Sequence, residues 1–145
     1  MYNRSFAFAA ALLCLATMKV VAQDSTHRSA TVPSGQQLRL SAHFNINRNC
    51  STGAAPEVRV TTPPRHGSLS IRSGTARSPQ FGSCKNVDAP ARLVIYQSNR
   101  GYTGEDRVTY EVVKANGGTE AQTVTITVSP APTSAPVNRG EKIDL

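Results

Sequence analysis

Beyond residue 22 no stretch repeats its apolar residues with a helical period, whereas alternation with period two recurs along the chain. Leu38, Leu40, Ala42 and Phe44 fall on one face of a strand over 36–44. Val58 and Val60 alternate next, halted by Pro63-Pro64, and Leu69 with Ile71 follows the His66-Gly67 turn. Residues 92–96 (RLVIY) form a compact apolar run. Val108, Tyr110 and Val112 stay in register within 106–114, and Ala115-Asn116-Gly117-Gly118 makes a turn into 121–128. That last strand sets Val124, Ile126 and Val128 against Thr123, Thr125 and Thr127. About seven short strands with one wet face each predict an all-β, antiparallel sandwich over 36–128. Residues 23–35 read as a flexible N-terminal segment, 73–90 as a loose insertion, and the Pro/Ser-rich stretch 129–145 as a disordered tail.

The first 22 residues belong to a different pattern. A positive charge at Arg4 precedes thirteen almost unbroken apolar residues, Phe6 to Met18, which is the length of a signal-peptide core and short for a bilayer span. Val20-Val21-Ala22 supplies modest side chains where a signal peptidase reads, which places cleavage after Ala22. A retained N-terminal anchor helix is the competing reading. Cys14 follows Leu12-Leu13 in mid-run, so it does not sit where a lipidated cysteine would. The expected destination is the periplasm or the medium of a bacterium, with no transmembrane span in the mature chain.

Export changes what the cysteines and charges mean. Only Cys50 and Cys84 remain, 34 positions apart, and an even pair in an oxidising compartment reads as one disulfide. The chain-entropy model gives such a loop roughly 4 kcal/mol. A zinc site would want a close Cys or His pair, and neither C-x-x-C nor H-x-H occurs. Asn49-Cys50-Ser51 satisfies a glycosylation sequon only by coincidence if Cys50 is bridged. Without Arg4 and Lys19 the chain carries fourteen basic and nine acidic residues, a formal net charge of +5, and eleven of the fourteen are Arg. Aromatic residues make up only 6% with no Trp, so the core must rest on Val, Leu and Ile.

The run from Gly101 to Val112 (GYTGEDRVTYEV) ends in Asp-x-Val-x-Tyr-x-Val. It resembles the strand of immunoglobulin-type sandwiches in which a buried tyrosine bonds back to the backbone as a tyrosine corner, here Tyr110 with Asp106 fixing the turn before it. With Thr62-Pro63-Pro64-Arg65-His66-Gly67-Ser68-Leu69 before it and Thr123–Val128 after it, the stretch 58–128 is similar to the bacterial Ig-like and cadherin-like modules of exported proteins. The resemblance implies an Ig-like fold and a binding or structural role. Val112 stands where antibody domains have a cysteine, so the Cys50–Cys84 bridge must lie elsewhere. Some relatives hold calcium between modules with acidic clusters, but Glu105-Asp106 stands almost alone, and no metal or cofactor is expected.

Catalytic motifs are missing: no Gly-x-Ser-x-Gly, phosphate loop or His-Glu-x-x-His occurs. Arg39, Arg59, Arg72 and Arg107 lie out of phase with the apolar residues of their strands and should face solvent. Together with Tyr102 in the loop before the Tyr110 strand, they are the candidate binding residues. Arg's planar fork suits phosphate and carboxylate, so lipopolysaccharide, teichoic acid, an acidic polysaccharide, or nucleic acid by simple charge would be fitting partners. The aromatic residues that interleave with basic groups in single-strand binders are scarce, which argues against dedicated nucleic-acid binding. The expectation is a non-catalytic exported module contacting an envelope protein or anionic polymer, with a small hydrolase or enzyme inhibitor as the alternative. A cleft joining His43 or His66 to a serine and a carboxylate would favour the hydrolase; a protruding rigid loop would favour the inhibitor.

Overall fold

A computed structural model describes residues 25–114 and 116–132. The segment read as a signal peptide, 1–22, and the tail beyond 132 lie outside the described residues. Seven strands follow one another: β1 Ser25–Pro33, β2 Gln37–Phe44, β3 Glu57–Thr62, β4 Gly67–Phe81, β5 Cys84–Ser98, β6 Gly104–Val113 and β7 Thr119–Ser129. They form two sheets, ordered β1-β7-β6-β3 and β2-β5-β4. Every pairing is antiparallel except that of β1 with β7. This is an Ig-like sandwich in which the first strand joins the sheet of the last.

The core lies between the sheets and is built as the alternation requires. Val108, Tyr110 and Val112 from β6 meet Val124, Ile126 and Val128 from β7, with Val94 and Tyr96 opposite on β5. The alternate residues of β7 are Thr123, Thr125 and Thr127, which spend their hydroxyls on the outer face.

Three expectations change. The described part of the segment 23–35 is not a loose lead-in: Ser25–Pro33 pairs in parallel with Ala121–Ser129, and Val32 is fully buried. The sequence hid this strand because only Ala30 and Val32 of its inward positions are apolar. The interval 73–90 is not an insertion either. It is the outer half of one long hairpin in which β4 and β5 stay paired from Gly67↔Ser98 to Phe81↔Cys84. Small and polar residues masked it. Its buried face, Ala76 and Ala89 with Ala91, needs no bulk. The disulfide joins Cys84 at the hairpin tip to Cys50 in the β2–β3 connection, with Cα atoms 5.4 Å apart.

The third change is in β2. Leu38 pairs with Tyr96, but the register slips between Arg39 and Ser41, so that Ser41 pairs with Val94 and His43 with Arg92. This β-bulge reverses the phase of the strand. Ala42 and Phe44 no longer share the face of Leu38 and Leu40; Ser41 and His43 turn towards the interior in their place, where both reach Tyr110 directly or through one bond.

Candidate functional site

One end of the interior is organised by Asp106, the first inward residue of β6. The residue is 5% exposed. It accepts the backbone N–H of Arg65, His66 and Arg107 and the Tyr96 hydroxyl, each at 2.9 Å. Burial pushes the carboxyl up, but these donors outweigh it and hold Asp106 below its ordinary 3.8. Burial, reinforced by the neighbouring carboxylate, pushes the Tyr96 hydroxyl far above its usual range. The Pro-Pro-Arg-His-Gly turn is thereby fastened to β6. Gly67 is required there: a Cβ would sit 2.6 Å from the Tyr96 ring and collide with the Gln97 carbonyl.

Outside this anchor lies a cleft of about 360 Å³ lined by Thr62, Arg65, His66, Glu105, Arg107 and Thr125, among others. His66 stacks on Tyr102 with ring centroids 3.9 Å apart and planes 4° from parallel, and the Tyr102 hydroxyl donates to the Glu105 carbonyl at 2.7 Å. Two arginines therefore face a cleft whose buried carboxylate is already matched by donors. Glu105 is the remaining negative charge on its rim.

The four arginines singled out by phase do not form one face. Arg59 and Arg107 stand on the four-stranded sheet, opposite Glu111 and Thr125 respectively. Arg39 and Arg72 stand on the three-stranded sheet, opposite Ile95 and Leu93 of β5. Arg59 is engaged by Glu57 through two bonds of 2.9 and 3.1 Å. Among the described residues no ion pair involves Arg39, Arg65, Arg72 or Arg107. Arg107 shares a cleft with Arg65. Arg65 escaped sequence reasoning because it sits in a turn, where phase says nothing; its place beside His66-Gly67 was the available signal.

Tyr110 is fully buried, but its hydroxyl does not make the backbone bond of a tyrosine corner. It bonds Gln122 Oε1 at 3.1 Å and Ser41 Oγ at 2.8 Å, because the bulge in β2 places a serine within reach. Nor is it the tyrosine that meets Asp106; that is Tyr96.

The bonds at this opposite end of β6 form a directed chain. Gln122 Nε2 donates to the Glu120 carboxylate at 3.2 Å, which leaves Gln122 Oε1 to accept from Tyr110. The Tyr110 hydrogen is then committed, so Ser41 donates to Tyr110, and the Ser41 oxygen accepts from His43 Nε2–H at 2.9 Å. A catalytic serine needs the reverse, an unprotonated histidine nitrogen to take its proton. Ser41 and His43 are therefore not arranged as nucleophile and base, the pairing that the hydrolase alternative would require.

Comparison with known proteins assigns the class. Residues 15–127 match the model of the family described as Bacterial Ig domain. The chain belongs to that family. Bacterial Ig domains are typically non-catalytic modules. Among solved structures the chain is similar to part of a 2,6-sialyltransferase from the Vibrionaceae Photobacterium sp. JT-ISH-224, at 12% identity and a TM-score of 0.38. That likeness covers 77% of this chain and 19% of the sialyltransferase. It is also similar to amebosin, at 10% identity and a TM-score of 0.38, over 74% of this chain and 99% of that one. No curated protein gives a sequence match. Among the described residues no helix is long and apolar enough to cross a membrane, and no group of three or more His, Cys, Asp or Glu could hold a metal.

Proposed function

We propose that this bacterial Ig domain is an exported binding module that holds an anionic envelope polymer through Arg65 and Arg107. The observation that carries the reading is the cleft itself: two guanidinium groups without carboxylate partners beside the hydroxyls of Thr62 and Thr125. Asp106 and Glu105 add two carboxylates to the lining; that of Asp106 is already bound by four donors, and Glu105 stands on the rim. Guanidinium groups and hydroxyls lining one cleft suit phosphate or carboxylate groups repeated along a polymer. The long hairpin serves as a brace and the outer sheet face as the contact surface.

The test is binding of lipopolysaccharide by the oxidised chain from Gln23 onward, at about 50 and about 500 mM salt. Binding that fades at high salt and drops in Arg65→Ser/Arg107→Ser, but survives in Arg39→Ser/Arg72→Ser, is the expected outcome. Equal losses in both double variants would reduce the effect to net charge, and binding indifferent to salt would remove the anionic partner. One feature favours the inhibitor alternative: the disulfide-tethered hairpin tip, where Phe81 stands 49% exposed. Protease inhibition abolished by Phe81→Ser would select it.

A further inference from the structure

A second cavity of about 280 Å³ opens at the other end of β6 from Asp106. Its apolar walls include Phe44, Pro56, Phe81 and Val112, brought from four separate parts of the chain. Phe81 reaches it because the Cys50–Cys84 bridge holds the hairpin tip against the β2–β3 connection. His43 also lines it, turned inward by the bulge in β2.

The directed hydrogen-bond chain decides what His43 presents. Its Nε2–H donates a hydrogen bond to Ser41 Oγ, so in the neutral ring Nδ1 bears an unshared pair. Among the described residues no group bonds Nδ1 and no buried side-chain nitrogen or oxygen lacks a partner, so Nδ1 is not buried. Glu120, also at this cavity, accepts from Thr26, Gln122 and Lys114 and has room for one more donor. Among the lining residues Lys114 and Glu120 pair at 3.0 Å, so their charges offset one another. The cavity thus combines aromatic and aliphatic walls with unmet acceptors. An apolar group alone would leave Nδ1 desolvated and unpaired, which costs binding energy. An anionic one would face two acceptors.

We infer that this cavity is a recognition pocket for an aromatic ring carrying an N–H or O–H donor, a tryptophan or tyrosine side chain of a partner protein, with the donor meeting His43 Nδ1. The ring is enclosed by lining residues that include Pro56, Phe81 and Val112, where contact with an aromatic neighbour adds to burial. The phase reversal of β2 has a purpose on this reading, since bulges commonly re-aim a side chain next to a site.

Paired probes test it: indole and 1-methylindole, titrated against the oxidised isotope-labelled chain at about pH 8, where histidine is neutral. Indole is expected to shift the amides of 42–45, 81 and 112–122, with 1-methylindole bound roughly fivefold more weakly for want of one hydrogen bond. His43→Phe should erase the difference between the probes. Should that variant fail to fold, Phe81→Ser, at an exposed site, should weaken both probes alike. Equal affinity of the two probes for the unaltered chain would overturn the hydrogen bond to His43. Shifts confined to other residues, or none at millimolar probe, would overturn the pocket.

Discussion

Asp106 draws its four donors from three places in the chain, so one side chain ties β6 to the β3–β4 turn and to β5. Removing it strands three backbone N–H groups near the interior, each worth about 1–3 kcal/mol when unsatisfied. Asp106→Ala should therefore destabilise by about 3 kcal/mol or more in denaturant unfolding. Gly67→Ala should cost about 2 kcal/mol through overpacking against the Tyr96 ring, and an unchanged midpoint would contradict that close approach. His43 makes a separate prediction. Burial pulls its imidazole below the ordinary 6.5, with Glu120 opposing and Arg28 assisting. The unfolded chain then binds the proton more tightly, so the stabilisation from neutral His43 is present above 6.5 and lost as pH falls through the lowered folded value. Melting temperature should decline in that interval, and His43→Gln, which keeps a donor for Ser41, should flatten the decline. Asp106 adds a second loss with the same sign below 3.8, where its carboxylate is protonated.

The β4–β5 hairpin and its tether are the distinctive elements. The connection over 45–56 has its own internal bonds, including Asn47 N to the Ser51 carbonyl at 2.9 Å and Asn45 Nδ2 to the Ala54 carbonyl at 2.8 Å. The bridge fixes this connection to the hairpin tip. Replacing both cysteines by serine should lower stability by up to roughly 4 kcal/mol in the entropic account. The loss should appear first as faster amide exchange in 45–56 and 74–91, while β6 and β7 stay protected. Uniform exchange across the domain would mean that the hairpin and the sandwich unfold as one unit.

At the scale of the whole molecule, β1 decides how the domain begins. It covers the edge of β7 by parallel pairing, and Val32 enters the core. A chain starting at Ser34 should expose that edge, lose cooperative unfolding and self-associate, because unpaired strand edges recruit other chains. A truncated chain that melts as sharply as the longer one would show that β1 contributes nothing. The charges follow the same logic of placement. Arg39 with Arg72, and Arg59 with Arg107, occupy outer faces of different sheets. One continuous basic stripe is therefore impossible, and any charge-driven contact is local to a sheet or a cleft.

The sequence by itself determined the fold class and most of the strands, because alternation with period two is a local consequence of one buried face. It also pointed to the disulfide, since Cys50 and Cys84 are the two cysteines beyond the segment read as a signal peptide, and the structure bridges them. The Gly101–Val112 run was enough to point to an Ig-like module, and the buried Tyr110 lay within it. What only the tertiary structure decided are the partners of side chains distant in sequence. Asp106 meets Tyr96 and the Arg65–His66 turn, and Tyr110 meets Ser41 and Gln122. The bulge in β2 was invisible because Leu38, Leu40, Ala42 and Phe44 alternate without a break. A bulge changes phase through pairing with another strand, and a single strand read alone carries no record of it. That change of phase brought His43 inside.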